Sequence, residues 1–255
     1  MKPANKVMEQ NNTAEPVERR ISTERNSYTP PEAETQSLAE TEEGLARIRA
    51  AARKDGTLRF NNLLHHITVE RLWQAYDGLK KRAAAGVDGV TWHQYGENLL
   101  PNLTELHKRI QMDRYRAQPV KRGWIGKGDG SKRPLGITCV EDKIVQQAVV
   151  WILEQIVEQD FLGFSYGSRP GRGQHHALDA VYMAISVKKV SYVLDADIKG
   201  YYDPIDQLWL MRLLEHRIAD RRILKLIEQT VQAGIVEDGG SSGDIILNCR
   251  DLHLI

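Results

Sequence analysis

The sequence predicts a helix-rich α/β fold of the α+β kind, and three observations favour this class. Apolar residues recur at helical spacing through residues 141–160 and again through residues 205–234. Short β-like runs flank a glycine-rich turn between residues 117 and 138, as in a hairpin. A further apolar run, residues 190–198, is rich in the β-branched and aromatic residues that suit strands. With 255 residues, the chain is long enough to bury one or two hydrophobic cores.

The N-terminal part is predicted to pass from a disordered tail into helices. Residues 1–40 are polar and aperiodic, so they cannot bury enough apolar surface to offset the entropy of ordering. A short helix is expected over residues 41–54 with Thr41 as its N-cap, and a better one begins after Thr68. Residues 93–112 indicate another helix, broken at Pro101.

The helices of the C-terminal half supply most of the predicted core. Residues 141–160 give the clearest prediction, with Ile144, Ala148 and Ile152 on one apolar face that also includes Trp151 and Ile156. Residues 174–187 are expected to be helical, and residues 205–234 to form a long helix or a helix pair. The core candidates of that last segment are Leu208, Met211, Leu214, Ile223, Leu226 and Ile227. Trp73, Trp151 and Trp209 are predicted to be core residues rather than platforms for base stacking.

The near-neutral charge of +1 is the result of a cancellation between segments. Residues 46–135 hold 18 Lys and Arg against 8 Asp and Glu, a net charge of +10. Residues 1–45 carry −4 and residues 136–255 carry −5. Such a basic block is typical of a surface that binds a polyanion. Judged from the charge alone, an ordinary solvated surface is an equally good interpretation.

Several classes of protein are excluded by composition. No run of about 18 apolar residues exists, so a transmembrane helix and a membrane partner are not expected. The first 20 residues lack the apolar core of a secretory signal. Cys139 and Cys249 cannot build a disulfide framework or a closed zinc site, and Cys139 is expected to be a small buried hydrophobe. A cytoplasmic setting fits these features.

A pair of carboxylates, Asp195 and Asp197, ends the apolar run 190–198 and is the first candidate for chemistry. Residues two apart lie on the same face of a strand, and adjacent carboxylates repel unless a cation or a proton neutralises them. Oxygen ligands of this kind suit Mg²⁺ together with substrate phosphates. A solvated strand end that caps the next turn is the alternative, and spacing alone favours that alternative.

Two basic loops are the other candidates. Residues 127–133 place Lys and Arg on both arms of the predicted hairpin tip, where they can hold phosphates, although the spacing of a Walker A loop is absent. Residues 167–173 combine glycines with Arg169 and Arg172, which allows a close approach of backbone and charge to a ligand. Solvated turns are the alternative for both loops. His175 and His176 are adjacent, so they are a poor metal pair and are expected to be structural or surface residues.

Taken in order, five segments resemble the reverse transcriptases encoded by bacterial group II introns, which are polymerases and maturases. Residues 86–91 resemble the family's N-terminal block, residues 115–137 its fingers hairpin and residues 141–149 the helix that follows. Residues 164–178 resemble its Phe-Arg-Pro-Gly-Arg block, and residues 193–206 its first catalytic palm motif. The resemblance implies fingers, an incomplete palm, and RNA-directed DNA polymerase activity with Mg²⁺ or Mn²⁺.

The resemblance also implies roles for particular residues. Asp197 matches the first catalytic aspartate and metal ligand, beside the Ile198 carbonyl as a second ligand, whereas Asp195 is not a ligand in the family pattern. The positions that match nucleotide-binding residues are Lys121, Lys127, Arg133 and Tyr202. The predicted RNA-binding residues are Arg114, Arg116, Arg122, Arg169 and Arg172. The implied partners are group II intron RNA, an RNA template with its DNA primer, and deoxynucleotides.

The chain departs from the family pattern in two ways. Ser168, Pro204 and Gln207 replace the usual Phe, Asn and His, which affects efficiency only. More importantly, residues 241–255 match none of the palm blocks that follow in the family, and no Asp-Asp dipeptide occurs in the chain. A two-metal site needs carboxylates from both palm motifs. We therefore expect a truncated or frameshifted reading frame that is inactive alone, and the adjacent nucleotide sequence tests this.

The predicted organisation follows from these segments. A tail covers residues 1–40, a helical RNA-binding block 41–112, fingers 113–189, a partial palm 190–240, and an atypical tail, out of frame in this interpretation, 241–255. The leading function is the reverse transcriptase of a mobile group II intron. A non-catalytic, maturase-like RNA-binding fragment is the alternative, and a retron-like or defence-associated reverse transcriptase is a weaker one.

Overall fold

A computed structural model describes residues 32–126, 128, 130, 132–188, 190–198, 206–237 and 240–242. The structure is rich in helix and contains one small mixed sheet, so the predicted fold class is confirmed. The helices are α1 (Glu32–Lys54), α2 (Val69–Gly78), α3 (Trp92–Gly96), α4 (Leu99–Gln111), α5 (Val140–Asp160), α6 (Gln174–Val187), α7 (Gln207–Glu215) and α8 (Arg221–Val231). The strands are β1 (Val120–Gly126), β2 (Lys132–Ile137), β3 (Ile235–Glu237) and β4 (Gly240–Ser242).

Helix α5 is the centre of the hydrophobic core. It packs against α1, α2 and α8, and the predicted face residues Ile144, Ala148, Ile152 and Ile156 are all fully buried. Trp151 is partly buried against the same core. A helix enclosed on several sides needs apolar residues around most of its circumference, and α5 has them. None of the described helices has the length and apolar character needed to cross a membrane.

The N-terminal helices follow the predictions with two corrections. The prediction that Thr41 caps the first helix is wrong, because α1 already begins at Glu32 and Thr41 lies inside it. The interruption in the segment 93–112 falls at residues 97–98 instead of at Pro101. Proline is tolerated there because backbone N–H groups in the first turn of a helix such as α4 have no acceptor within the helix, so the N–H that proline lacks is not needed. The Thr68 cap is confirmed, since its hydroxyl accepts from the Arg71 backbone N–H at 3.2 Å.

The sheet has the strand order β2-β1-β3-β4. Strands β1 and β2 form the predicted antiparallel hairpin, and β3 and β4 form a second one. Between the hairpins, β1 and β3 run parallel, with Val120 opposite Ile235 and Lys121 opposite Val236. This pairing, which was not predicted from the sequence, joins the predicted fingers to the end of the predicted partial palm.

The segment 190–198 corrects the prediction of a strand. None of its residues forms a strand in the structure, and Tyr192 and Leu194 are 93% and 91% exposed. A strand requires a neighbour for its backbone hydrogen bonds, and no described strand pairs with this segment. Apolar composition alone therefore does not produce a strand here.

Exposed apolar side chains are not confined to this segment. Helix α6 has no buried residue, and large side chains of α6 and α7 are exposed. Leu208 and Trp209 are 70% and 60% exposed, so the prediction that they are core residues is wrong. They lie on the outer side of α7, whereas Met211 and Leu214 pack against the core.

Candidate nucleic-acid and nucleotide interface

The hairpin of β1 and β2 presents two chemically different faces. Cross-strand pairing joins Lys121 to Ile137, Trp124 to Pro134, and Ile125 to position 133. Because side chains alternate along a strand, positions 121, 125 and 133 share one face. We call this the Lys121 face. Two of the positions that match nucleotide-binding residues of the family, 121 and 133, thus lie on the same side of the hairpin, and Lys121 is exposed.

The opposite face carries Arg122, Trp124, Lys132 and Pro134, and we call it the Trp124 face. The Trp124 ring is 53% exposed, and the Arg122 guanidinium lies 5.8 Å from the ring centroid. Arg122 also faces Glu237 on β3, with 3.9 Å between Nε and a carboxylate oxygen, and its side chain is only 11% exposed. Arg122, a predicted RNA-binding residue, is therefore more enclosed than its place on the hairpin indicated.

A buried carboxylate anchors the chain where it enters the hairpin. Asp142, in the first turn of α5, accepts the Tyr115 hydroxyl at 2.5 Å and the Gln118 backbone N–H at 3.1 Å. Burial raises the pKa of Asp142 to about 6, although both hydrogen bonds oppose that rise. Burial, together with the Asp142 carboxylate, also raises the pKa of Tyr115. This pair was not predicted from the sequence, in which the available signal was an acid in the first turn of a helix.

The turn before β1 holds the exposed cations Arg114 and Arg116. Asp113 begins this turn in the left-handed region, at φ 59°, and its carboxylate accepts Lys225 of α8 at 2.5 Å. Arg116 donates to the carbonyls of Asp113 and Tyr115 at 3.0 and 2.6 Å. These contacts fix the turn while leaving both guanidinium groups at the surface.

The loop after α5 is organised by Arg169. Its guanidinium donates to the Glu158 carboxylate at 2.6 Å and to the carbonyls of Leu162 and Ser165 at 3.0 and 2.8 Å, and the residue is buried. Arg169 therefore holds the loop against the end of α5. Its predicted contact with RNA stays a prediction, as does that of Arg172, whose guanidinium donates to the Gly163 carbonyl at 2.6 Å.

The predicted catalytic segment lies on the surface. Asp197 and Ile198 are exposed, with Ile198 68% accessible to solvent. The carboxylate of Asp197 and the carbonyl of Ile198 are oxygen donors of the type that suits Mg²⁺. Among the described residues no group of three or more His, Cys, Asp or Glu could hold a metal. Lys127 and Tyr202 lie outside the described residues, so their predicted roles in nucleotide binding stay predictions.

The N-terminal block 86–91 lies against the start of α5. A Cβ added to Gly86 would meet the backbone nitrogen of Cys139 at 2.6 Å, so this close approach requires glycine. Cys139 is buried, as predicted. The block, the start of α5 and the entry to the hairpin therefore form one packed unit.

Comparison with known proteins shows which proteins this chain is similar to. Residues 125–246 match the family model described as reverse transcriptase (RNA-dependent DNA polymerase). Protein YkfC of Escherichia coli is 34% identical over 201 residues, which cover 76% of this chain and 52% of that protein. Group II intron-encoded protein LtrA of Lactococcus lactis is 33% identical over 168 residues, 64% of this chain and 27% of LtrA. These matches confirm the resemblance to group II intron reverse transcriptases and maturases.

The similarity extends to more distant intron proteins. Nuclear intron maturase 1 of Arabidopsis thaliana is a more distant relative, 26% identical over 131 residues, 48% of this chain and 18% of that protein. The match to this chain spans about half of YkfC and about a quarter of LtrA. Reverse transcriptases generally use divalent metal ions, and Asp197 with Ile198 offers donors of the right chemical type.

Proposed function

We propose that this chain forms the fingers and the first part of the palm of a group II intron reverse transcriptase. Its implied substrates are deoxynucleotides and a DNA primer on an RNA template, and its RNA partner is intron RNA. The observation that carries the proposal is the family match, which begins at residue 125 inside the predicted fingers hairpin. The strand pairing of that hairpin supports it by placing Lys121 and position 133 on one face. The bacterial relatives are in keeping with a bacterial cytoplasmic protein.

The proposed chemistry assigns a task to each group of residues. Lys121, Lys127 and Arg133 hold the triphosphate of the incoming nucleotide by charge and hydrogen bonds. Tyr202 lies at the position that screens the 2′ carbon of its sugar. Asp197 and the Ile198 carbonyl would hold a Mg²⁺ ion, or Mn²⁺ in its place. Such an ion neutralises charge that develops on the phosphates during transfer.

We infer that these 255 residues alone do not extend a primer. The sequence contains one of the two carboxylate motifs that a two-metal site needs, because it has no Asp-Asp dipeptide. Primer extension on poly-rA with oligo-dT, dTTP and either Mg²⁺ or Mn²⁺ tests this inference. We expect no incorporation by the purified chain, and robust incorporation would overturn the inference.

A maturase-like role in RNA binding is the second candidate function. The exposed cations Arg114 and Arg116 on the fixed turn before β1, close in sequence to exposed Lys121, favour it. Phosphate contacts of this kind give an affinity that falls steeply with salt. Charge-neutral replacement of Arg114, Arg116, Lys121 and Arg122 is expected to weaken RNA binding. Unchanged binding would count against this role.

A further inference from the structure

The proposed function uses the Lys121 face of the hairpin for the nucleotide and gives no task to Trp124 on the opposite face. A tryptophan more than half exposed on a strand costs free energy in water, since its large apolar ring finds no core to pack against. Its neighbours on this face are Arg122, Lys132 and Pro134. The indole ring therefore has two cationic side chains and the apolar ring of a proline beside it.

The stretch of chain that contains Trp124 is strongly basic. Residues 114–133 contain seven Lys and Arg but only one acidic residue, Asp129. One acidic side chain lies close to this stretch on the neighbouring strand β3, where the Glu237 carboxylate is 3.9 Å from Arg122. An apolar protein partner would gain from the ring but would have to desolvate these cations. A nucleic acid offers a base that can stack on the ring and phosphates that can pair with the cations.

We propose that Trp124 is a stacking platform for an unpaired base of single-stranded RNA, on the face of the hairpin opposite the nucleotide. Aromatic side chains flanked by cations bind single strands in this way, because the ring stacks on a base while the cations contact its phosphates. In duplex RNA the bases are already stacked on one another, and recognition relies on the backbone and the 2′-hydroxyls. The site is therefore selective for single strands. This inference rests on the proposed function, because it assumes that the hairpin faces RNA.

The test compares two exposed tryptophans in the full chain. Trp124→Ala removes the proposed platform, and Trp209→Ala is the matched control. Trp209 is 60% exposed and has the Arg212 guanidinium 5.0 Å from its ring centroid, but it lies on α7 outside the basic block. Trp124→Phe retains a stacking ring. Binding is measured by fluorescence anisotropy with an unstructured CA-repeat RNA and with a duplex RNA, at several salt concentrations.

We expect Trp124→Ala to weaken binding of the single strand at least about fivefold, as loss of one stacked base does. Binding of the duplex should change little, and the salt dependence should stay the same, because stacking releases no counterions. Trp124→Phe should restore most of the affinity, and Trp209→Ala should bind like the unmodified chain.

Two results would overturn the inference while leaving the proposed function intact. One is unchanged binding of the single strand by Trp124→Ala, which would mean that the exposed ring contacts another partner, such as a protein, and not RNA. The other is an equal loss on single-stranded and duplex RNA, which indicates a general change in the hairpin. Absence of any salt-dependent RNA binding by the unmodified chain would overturn both the inference and the RNA-binding function on which it rests.

Discussion

Replacing Asp220 with alanine should destabilise the fold more than the loss of an ordinary helix cap. Asp220 is 3% exposed and caps α8 by accepting the Arg222 backbone N–H at 3.0 Å. The same carboxylate accepts the backbone N–H groups of Leu63 and Leu64, at 2.8 and 3.1 Å, from more than 150 residues away in sequence. The side chain therefore joins α8 to the 3₁₀ turn that precedes α2.

The expected loss follows from these three hydrogen bonds. Removing a cap costs about 0.5–2 kcal/mol. Each buried N–H left without a partner costs about 1–3 kcal/mol, and Asp220→Ala leaves two of them, on Leu63 and Leu64. The three contributions add to about 2.5–8 kcal/mol, which lowers the melting temperature by roughly 5–30 °C for a chain of this size.

Chemical denaturation followed by circular dichroism measures this loss, with Asp206→Ala as the matched control. Asp206 caps α7 in the same way, accepting the Leu208 backbone N–H at 2.8 Å, but it is exposed. Its loss should cost about 1 kcal/mol. Asp220→Asn, which keeps one acceptor oxygen, should fall between the two variants. Equal losses for Asp220→Ala and Asp206→Ala would refute the role of the two distant N–H groups.

Three further predictions concern pH, affinity and association. Burial raises the pKa of Asp142 to about 6, so between about pH 4 and pH 6 the native state binds a proton that the unfolded chain has released. The free energy of unfolding contributed by Asp142 therefore falls as the pH rises through this window. Asp142→Asn should remove that slope from the pH profile of denaturation, and a profile parallel to that of the unmodified chain would contradict the assignment. Glu237→Gln removes the carboxylate that lies 3.9 Å from Arg122, so it should tighten single-stranded RNA binding about two- to fivefold in an anisotropy titration. Weaker binding would show that Glu237 orients Arg122 rather than competing with RNA. The double substitution of Tyr192 and Leu194 by serine should reduce concentration-dependent association in light scattering, because both side chains are almost fully exposed. Unchanged association would assign it to another surface.

Local signals in the sequence predicted the elements that are decided locally. The Thr68 cap, the hairpin around residues 126–132 and the apolar face of α5 each depend on residues close in the chain. The segment 190–198 failed as a strand because strand formation depends on a partner elsewhere in the structure. Leu208 and Trp209 failed as core residues for a similar reason, since which side of α7 is covered depends on its neighbours.

In the candidate site, too, features set by residues close in the chain could be predicted, whereas contacts between distant segments could not. The hairpin itself could be read from the sequence, although its register, which places Lys121 and position 133 on one face, is visible only in the structure. The contact of Asp142 with Tyr115 and the contact of Asp220 with Leu63 could not, because each joins distant segments through a single buried carboxylate. Arg169 carries a charge that indicated RNA, but its ion pair with Glu158 became visible only in the fold.

The salt dependence of single-stranded RNA binding tests the central claim, that the basic fingers face RNA, most directly. The affinity of the 255-residue chain should fall linearly with salt on a double logarithmic plot. Neutral replacement of Arg114, Arg116, Lys121 and Arg122 should make that slope shallower by about 0.7 for each phosphate that the variant no longer neutralises. An unmodified chain that binds no RNA, or a variant with the same affinity and slope, would contradict the claim.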